Sequence, residues 1–290
     1  MRILLLGFSI IILFQNLVSA QNDSINRKQI RNIMYAESIL YVGGMTGLGL
    51  LWYKDSKPQS FQFFNDNNQW LQMDKIGHIF TAYHLTEINY QLLKNAGLKP
   101  KKAMLFSSIS STAMMLPIEI LDGYSANYGA SWGDAIANTI GAFLPYQQFL
   151  FDQNYIYPKF SFSPSPYAEL RPNTLGKNYV EQCIKDYNGQ TYWLSTDFNI
   201  FSKTNTFPDW LQFSIGYSGH EMIYGNPQQN SENGYNANRQ WLLSLDMNLS
   251  KIEVEQKWLK IMLNLINTVK IPFPAVEWNR KGVVLHPLYF

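Results

Sequence analysis

The sequence predicts an α+β chain, because its pattern changes near the middle. Up to Phe151 it carries four apolar stretches of helical length. Beyond Asn173 apolar and polar residues alternate, and four prolines separate the two regimes. Across 290 residues this divides into a leader over 1–20, a helical region over 21–156, a Pro-rich linker over 157–173 and a β-rich region over 174–290. Hydrophobic residues make up 46% and charged residues only 15%, against roughly a quarter charged in a typical soluble domain, which excludes a disordered chain. A net charge of +2 without a Lys/Arg cluster argues against nucleic acid as a partner. The single Cys183 excludes an intramolecular disulfide and a multi-cysteine zinc site.

The first twenty residues form an export signal. Arg2 precedes an apolar run over 3–14, Gln15 and Asn16 break it, and Val18-Ser19-Ala20 supplies small residues for cleavage near Ala20. The run falls short of the roughly 20 residues of a comfortable membrane span, which disfavours an uncleaved anchor. The mature chain is therefore expected in a bacterial cell envelope, periplasmic or associated with the outer membrane.

Helices are predicted over 33–53, 71–93, 101–121 and 132–151. Gly43 and Gly47 stand four apart, a spacing that allows close helix approach; a phosphate-binding loop would need a preceding strand and a different spacing. Pro100 precedes the third helix, Ser131 is placed to cap the fourth, and Pro145 is expected to kink or end it. Small residues crowd the third helix at Ser107, Ser108, Ser110, Ser111 and Thr112. Length and periodicity suit a buried soluble bundle or a membrane bundle equally.

Three of these helices carry polar stripes. Asp74 and His78 are four apart and share a face beside Lys75. Glu119 and Asp122 are three apart. Asp134, Asn138 and Gly141 lie on one side of the fourth helix. Charges in apolar surroundings are costly unless paired, so the stripes are expected to face one another. Two readings stay open. His78, Glu119, Asp122 and Asp134 offer ligands for a divalent metal, or a carboxylate base, in a hydrolase acting on a lipid or cell-wall component. Alternatively Lys75 neutralises Asp74 or Glu119, Asn138 completes the hydrogen bonding, and the stripes are a structural network.

The positions Asp74-Lys75-Ile76-Gly77-His78, Glu119-Ile120-Leu121-Asp122, Ser131-Trp132-Gly133-Asp134, Asn138 and Gly141 resemble the YfiM-type family of predicted periplasmic lipoproteins, a domain of unknown function, and more distantly VanZ-like membrane proteins. The resemblance covers about 71–150. It implies an envelope location and a small helical domain, and it brings no activity with it. This chain lacks a lipid-bearing Cys near the cleavage point and adds a long C-terminal half.

In that half, Leu211, Phe213, Ile215 and Tyr217 alternate with polar or small residues, as do Leu243, Leu245, Met247 and Leu249. Weaker strands are expected over 192–201 and 282–290, with a polar loop over 225–239. Trp258, Ile261, Met262, Leu265 and Val269 recur at helical spacing. That helix is expected to face the core, although Lys257 and Lys260 border its apolar face as on a membrane-lying helix. Phe290 ends the chain as outer-membrane barrel strands end, but four or five strands fall short of the roughly eight a closed barrel needs. His220-Glu221 is expected to be surface, His84 and His286 to be packed or hydrogen-bonded. The sequence thus leaves a membrane-associated envelope protein with a membrane or envelope partner, or an enzyme; it sets no oligomeric state.

Overall fold

Apolar length decides the first half of the chain and alternation the second. The computed structural model describes residues 27–53, 56–151, 156–201 and 207–290; the export signal and its cleavage point lie outside the described residues. The fold is α+β, with helices N-terminal and a six-stranded antiparallel sheet C-terminal. Two compact units divide it: Met1–Asn67 with Thr81–Gln153, and Asn68–Phe80 with Asn154–Phe290.

The first unit is built on α1 (Arg27–Trp52), the later turns of α2 (Met73–Asn95), α3 (Pro100–Gly123) and α4 (Trp132–Leu150). Pro100 opens α3 where its missing N–H would have no partner anyway. Ser131 caps α4 by accepting from the Asp134 N–H at 3.2 Å. Pro145 does not end α4, which continues to Leu150. Beyond it Tyr146 and Phe149 pack with Tyr90, Ala103 and Met104, and this burial holds the last turn despite the lost backbone donor.

Polarity on α4 runs opposite to that of a helix in a soluble bundle. On α4 the buried side carries Asp134, Ala137, Asn138, Gly141, Ala142 and Gln148. The exposed side carries Trp132 (67% exposed), Ile136 (58%) and Ile140 (53%). Several polar groups inside bond within their own helix or across to a neighbour. Thr86 Oγ1 donates to the carbonyls of Ala82 and Ala142, Tyr41 donates to Met114 O at 2.8 Å, and Ser107 and Ser108 bond back to their own helix.

The second unit holds a meander of β1 (Tyr157–Phe162), β2 (Gln190–Asp197), β3 (Leu211–His220), β4 (Asn238–Met247), β5 (Phe273–Asn279) and β6 (Gly282–Tyr289), each paired antiparallel with the next. Short helices α5 (Pro172–Leu175), α6 (Tyr179–Lys185) and α7 (Pro227–Glu232) and the longer α8 (Lys257–Ile266) lie in its connections. β1 falls inside the Pro-rich stretch; it is an edge strand of the sheet, where Pro158 is tolerated. The expected polar loop over 225–239 contains α7, started by Pro227 and capped by Asn226.

Register fixes two unlike faces. Lys159, Ser161, Ser195, Gln212, Ser214, Ser218, Ser244, Asp246 and Glu277 point to one side and are buried, around Trp193 and Leu242. Leu194, Ile215, Leu245, Trp241 and Trp278 point to the other. The sheet curls around its polar side. Lys159 of β1 reaches Asp246 of β4, Thr191 of β2 meets Tyr289 of β6, and Phe160 of β1 exchanges backbone bonds with Thr268 and Lys270 just before β5. The apolar face of α8 is not core-facing as expected: Trp258, Ile261, Met262 and Leu265 are exposed.

Candidate functional site

The polar positions singled out in the sequence fall into both units. Asp74, Lys75 and His78 belong to the second; Glu119, Asp122, Asp134 and Asn138 belong to the first. The ligand set of His78 with Glu119, Asp122 and Asp134 therefore draws on both.

In the first unit the segment before α2 laces along the α3–α4 connection. Backbone bonds join Gln59 to Tyr124, Gln62 to Gly123 and Ala130, Phe64 to Ala130, and Lys57 to Ala126. Aromatic side chains fit where the connection has none. Phe61 lies against Gly123 and Phe64 against Gly129, where a Cβ would collide with each. Phe63 stacks on Trp132 with ring centroids 5.2 Å apart.

This lacing delivers Asp66 to the start of α4, where two carboxylates, those of Asp66 and Glu119, bond Ser131. Ser131 Oγ donates to Asp66 Oδ1 at 2.6 Å and accepts from the Asp134 N–H. The Ser131 N–H donates to Glu119 Oε2 at 3.2 Å. The positive end of the helix dipole favours carboxylates at that place. Glu119, Asp134 and Asn138 are each at most 5% exposed. One turn along α3 from Glu119, Asp122 accepts from the Tyr53 hydroxyl at 2.7 Å. Burial first, then the Asp122 charge, pushes Tyr53 well above the usual tyrosine range, so it stays a donor at any physiological pH.

In the second unit Asp74 accepts from the Tyr187 hydroxyl at 2.6 Å and lies 3.9 Å from His78 Nε2. Gly77 faces the Tyr192 hydroxyl so closely that a Cβ would sit 2.9 Å from it. Trp70, Leu71 and Gln72, just before α2, all have positive φ, at 47°, 50° and 66°. A left-handed residue costs roughly 1–2 kcal/mol when it is not glycine, so three in a row must be held from outside. Holding them are the Trp70 N–H to Gly225 O, the Tyr217 hydroxyl on Leu71 O, and Arg239 Nη2 on Gln72 Oε1 at 2.6 Å.

His84 and His286 are packed or hydrogen-bonded as expected, whereas His220, expected at the surface, is half-buried against Tyr167. His286 Nε2 is 2.7 Å from Glu277 Oε2, and His220 Nε2 is 3.2 Å from the Tyr167 hydroxyl. His84 packs edge-on against Tyr83.

The signature positions thus meet partners that the sequence did not single out: Asp66, Tyr53 and Tyr187. Each lies outside the helical stripes, Asp66 in an Asn-rich loop, and no spacing rule links it to its partner. Carboxylates of this kind suit a hard divalent cation, and here one oxygen of Asp66 and one of Glu119 already accept from Ser131.

Residues 62–149 match the family model of a predicted periplasmic lipoprotein (DUF2279). The match covers less than a third of the chain. It begins in the laced loop, includes Asp66 and every polar position named above on α2, α3 and α4, and ends one residue before α4 does. It supports a periplasmic, cell-envelope location. No curated protein and no solved structure matches the chain.

Proposed function

We propose that the protein is an exported, membrane-associated component of the bacterial envelope, cleaved near Ala20, that acts through structure and contact rather than by catalysing a reaction. The observation that carries this is the inverted polarity of α4. Trp132, Ile136 and Ile140 face outward, while Asp134, Asn138 and Gln148 are buried. In water that arrangement leaves apolar surface unburied at roughly 25 cal/mol per Å². Against lipid the same arrangement is favourable. α3 adds Ile109 and Leu116 to the exposed apolar surface, and it is long and apolar enough to cross a membrane.

In this reading the acidic groups around Ser131 serve the fold. They hold Ser131, the α4 cap, and Asp66 anchors the laced loop, which keeps the aromatic residues Phe61, Phe63 and Phe64 on the α3–α4 connection. The test is fractionation of cells expressing the full chain. The protein is expected in the membrane pellet after a carbonate wash, and Ile136→Glu with Ile140→Glu is expected to shift it towards the soluble fraction. Wild-type protein recovered wholly in the soluble periplasmic fraction would overturn the proposal.

A further inference from the structure

The β-sheet of the second unit is also inverted, and by a different device. Its buried side is ionic and hydroxylic. Lys159 and Asp246 form a 2.9 Å ion pair with both side chains fully buried, Ser195 donates to Asp246, and Trp193 Nε1 donates to Ser161. Lys270 lies over the Trp193 ring. These groups are costly to bury, so the strands must gain elsewhere, and the outward face shows where. Leu194 is 53% exposed, Ile215 46%, Trp241 51%, Val283 60% and Leu285 73%, and they run across the strands as one surface. Contiguous apolar surface on this scale marks an interaction site.

We infer that the outward face of β2–β6, extended by the exposed apolar face of α8, contacts the hydrocarbon of a lipid bilayer. Two features select lipid over a second protein. The first is the alternation of β3 and β4: their inward residues are polar apart from Gly216 and Leu242, and their outward residues over 211–217 and 241–247 are apolar, which is the pattern of bilayer-facing sheets. Leu71 and Met73 cover Tyr217, with Tyr192 packed beside them, so the open band is the part of the face beyond them, around Leu194, Ile215, Leu245, Val283 and Leu285. The second is the boundary. Arg239, Arg280 and Lys281 stand exposed at one end of the strands, where Lys281 pairs with Glu221, and the rim keeps a basic excess matched to anionic headgroups. Trp210 and Trp258 lie towards the other end, beside the start of β3 and in α8, as aromatic side chains do at a membrane–water interface.

This inference rests on the membrane-associated reading and names a second surface for it. The experiment is flotation of the full mature chain with vesicles of phosphatidylethanolamine and phosphatidylglycerol (3:1), run beside Ile215→Glu/Leu285→Glu and Ile136→Glu/Ile140→Glu. All four side chains are exposed, so the folded state, checked by circular dichroism, should survive. A tenfold or greater loss of bound protein in the sheet variant is expected. Binding unchanged in the sheet variant but lost in the α4 variant would overturn the inference and leave the membrane reading standing. No binding by any form would overturn both. As a second readout, lipids brominated on the acyl chains should quench tryptophan emission, and Trp241→Phe/Trp278→Phe should reduce the quenched fraction. Quenching untouched by that pair would also overturn the inference.

Discussion

Asp246→Asn tests whether the sheet is built around buried charge. Asp246 accepts from Lys159 Nζ at 2.9 Å, Ser195 Oγ at 2.8 Å and the Met247 N–H at 2.8 Å, and Lys159 also donates to Met247 O at 2.6 Å. Burial already lowers the Lys159 pKa, and the Asp246 charge works against that shift. Neutralising Asp246 leaves an ammonium in the interior without its counter-charge, and the new amide NH₂ faces donors. Breaking a fully buried pair from one side costs about 3–5 kcal/mol. Lys159→Met/Asp246→Asn removes the stranded charge and keeps an oxygen acceptor for Ser195, so the double variant should recover at least about 1 kcal/mol over Asp246→Asn alone. Equilibrium urea unfolding followed by tryptophan fluorescence measures both, with exposed Glu255→Gln as the control. A cost below about 1 kcal/mol for Asp246→Asn, equal to that control, would refute the reasoning.

Other outcomes follow from the same geometry. Ser131→Ala removes the α4 cap and the tie to Asp66, and thermal melts should register a loss of about 1–2 kcal/mol. Gly216→Ala drives a Cβ to within 2.7 Å of the Trp193 ring, and overpacking of this kind costs about 1–3 kcal/mol in the same melts. Burial raises the Glu87 pKa from 4.5 to about 7. The folded state therefore binds more protons than the unfolded state between those values, and stability falls as pH rises through that window. Glu87→Gln should remove this fall and be more stable than wild type at pH 8, by up to about 3 kcal/mol, while the two converge below pH 4.5. A chelator should leave the melting temperature unchanged; a melt lowered by chelation and restored by a divalent cation would instead put a metal among the carboxylates and favour a metal-assisted hydrolase.

The long helices were legible because each is an apolar-rich stretch of helical length, and Ser131 was legible as a cap because its side chain bonds within three residues. Alternation at 211–217 and 243–249 located β3 and β4. What alternation does not encode is which face is buried. Ile215 and Ser214 follow the same pattern whichever points inward, and the choice is made by long-range partners such as Asp246 for Ser214. The direction of the α8 apolar face was hidden for the same reason. β1 and β5 are hidden because Pro158 and Pro274 interrupt their pattern, and each strand is held by a partner some thirty residues away, β2 for β1 and β4 for β5. In the site, Asp74 with His78 and Glu119 with Asp122 were visible as helical spacings. Their partners Tyr187, Tyr53 and Asp66 arrive from segments that only the folded chain brings near.

Spin labels along β3 test the inverted sheet most directly. With Cys183 replaced by serine, single cysteines at 212 to 215 would carry the label in protein bound to vesicles, and collision with oxygen and with a water-soluble nickel complex would be read at each. A period of two is predicted: high oxygen and low nickel access at 213 and 215, and low access to both reagents at 212 and 214. Nickel access at 213 and 215 as high as at the exposed turn residue Lys281 would contradict it.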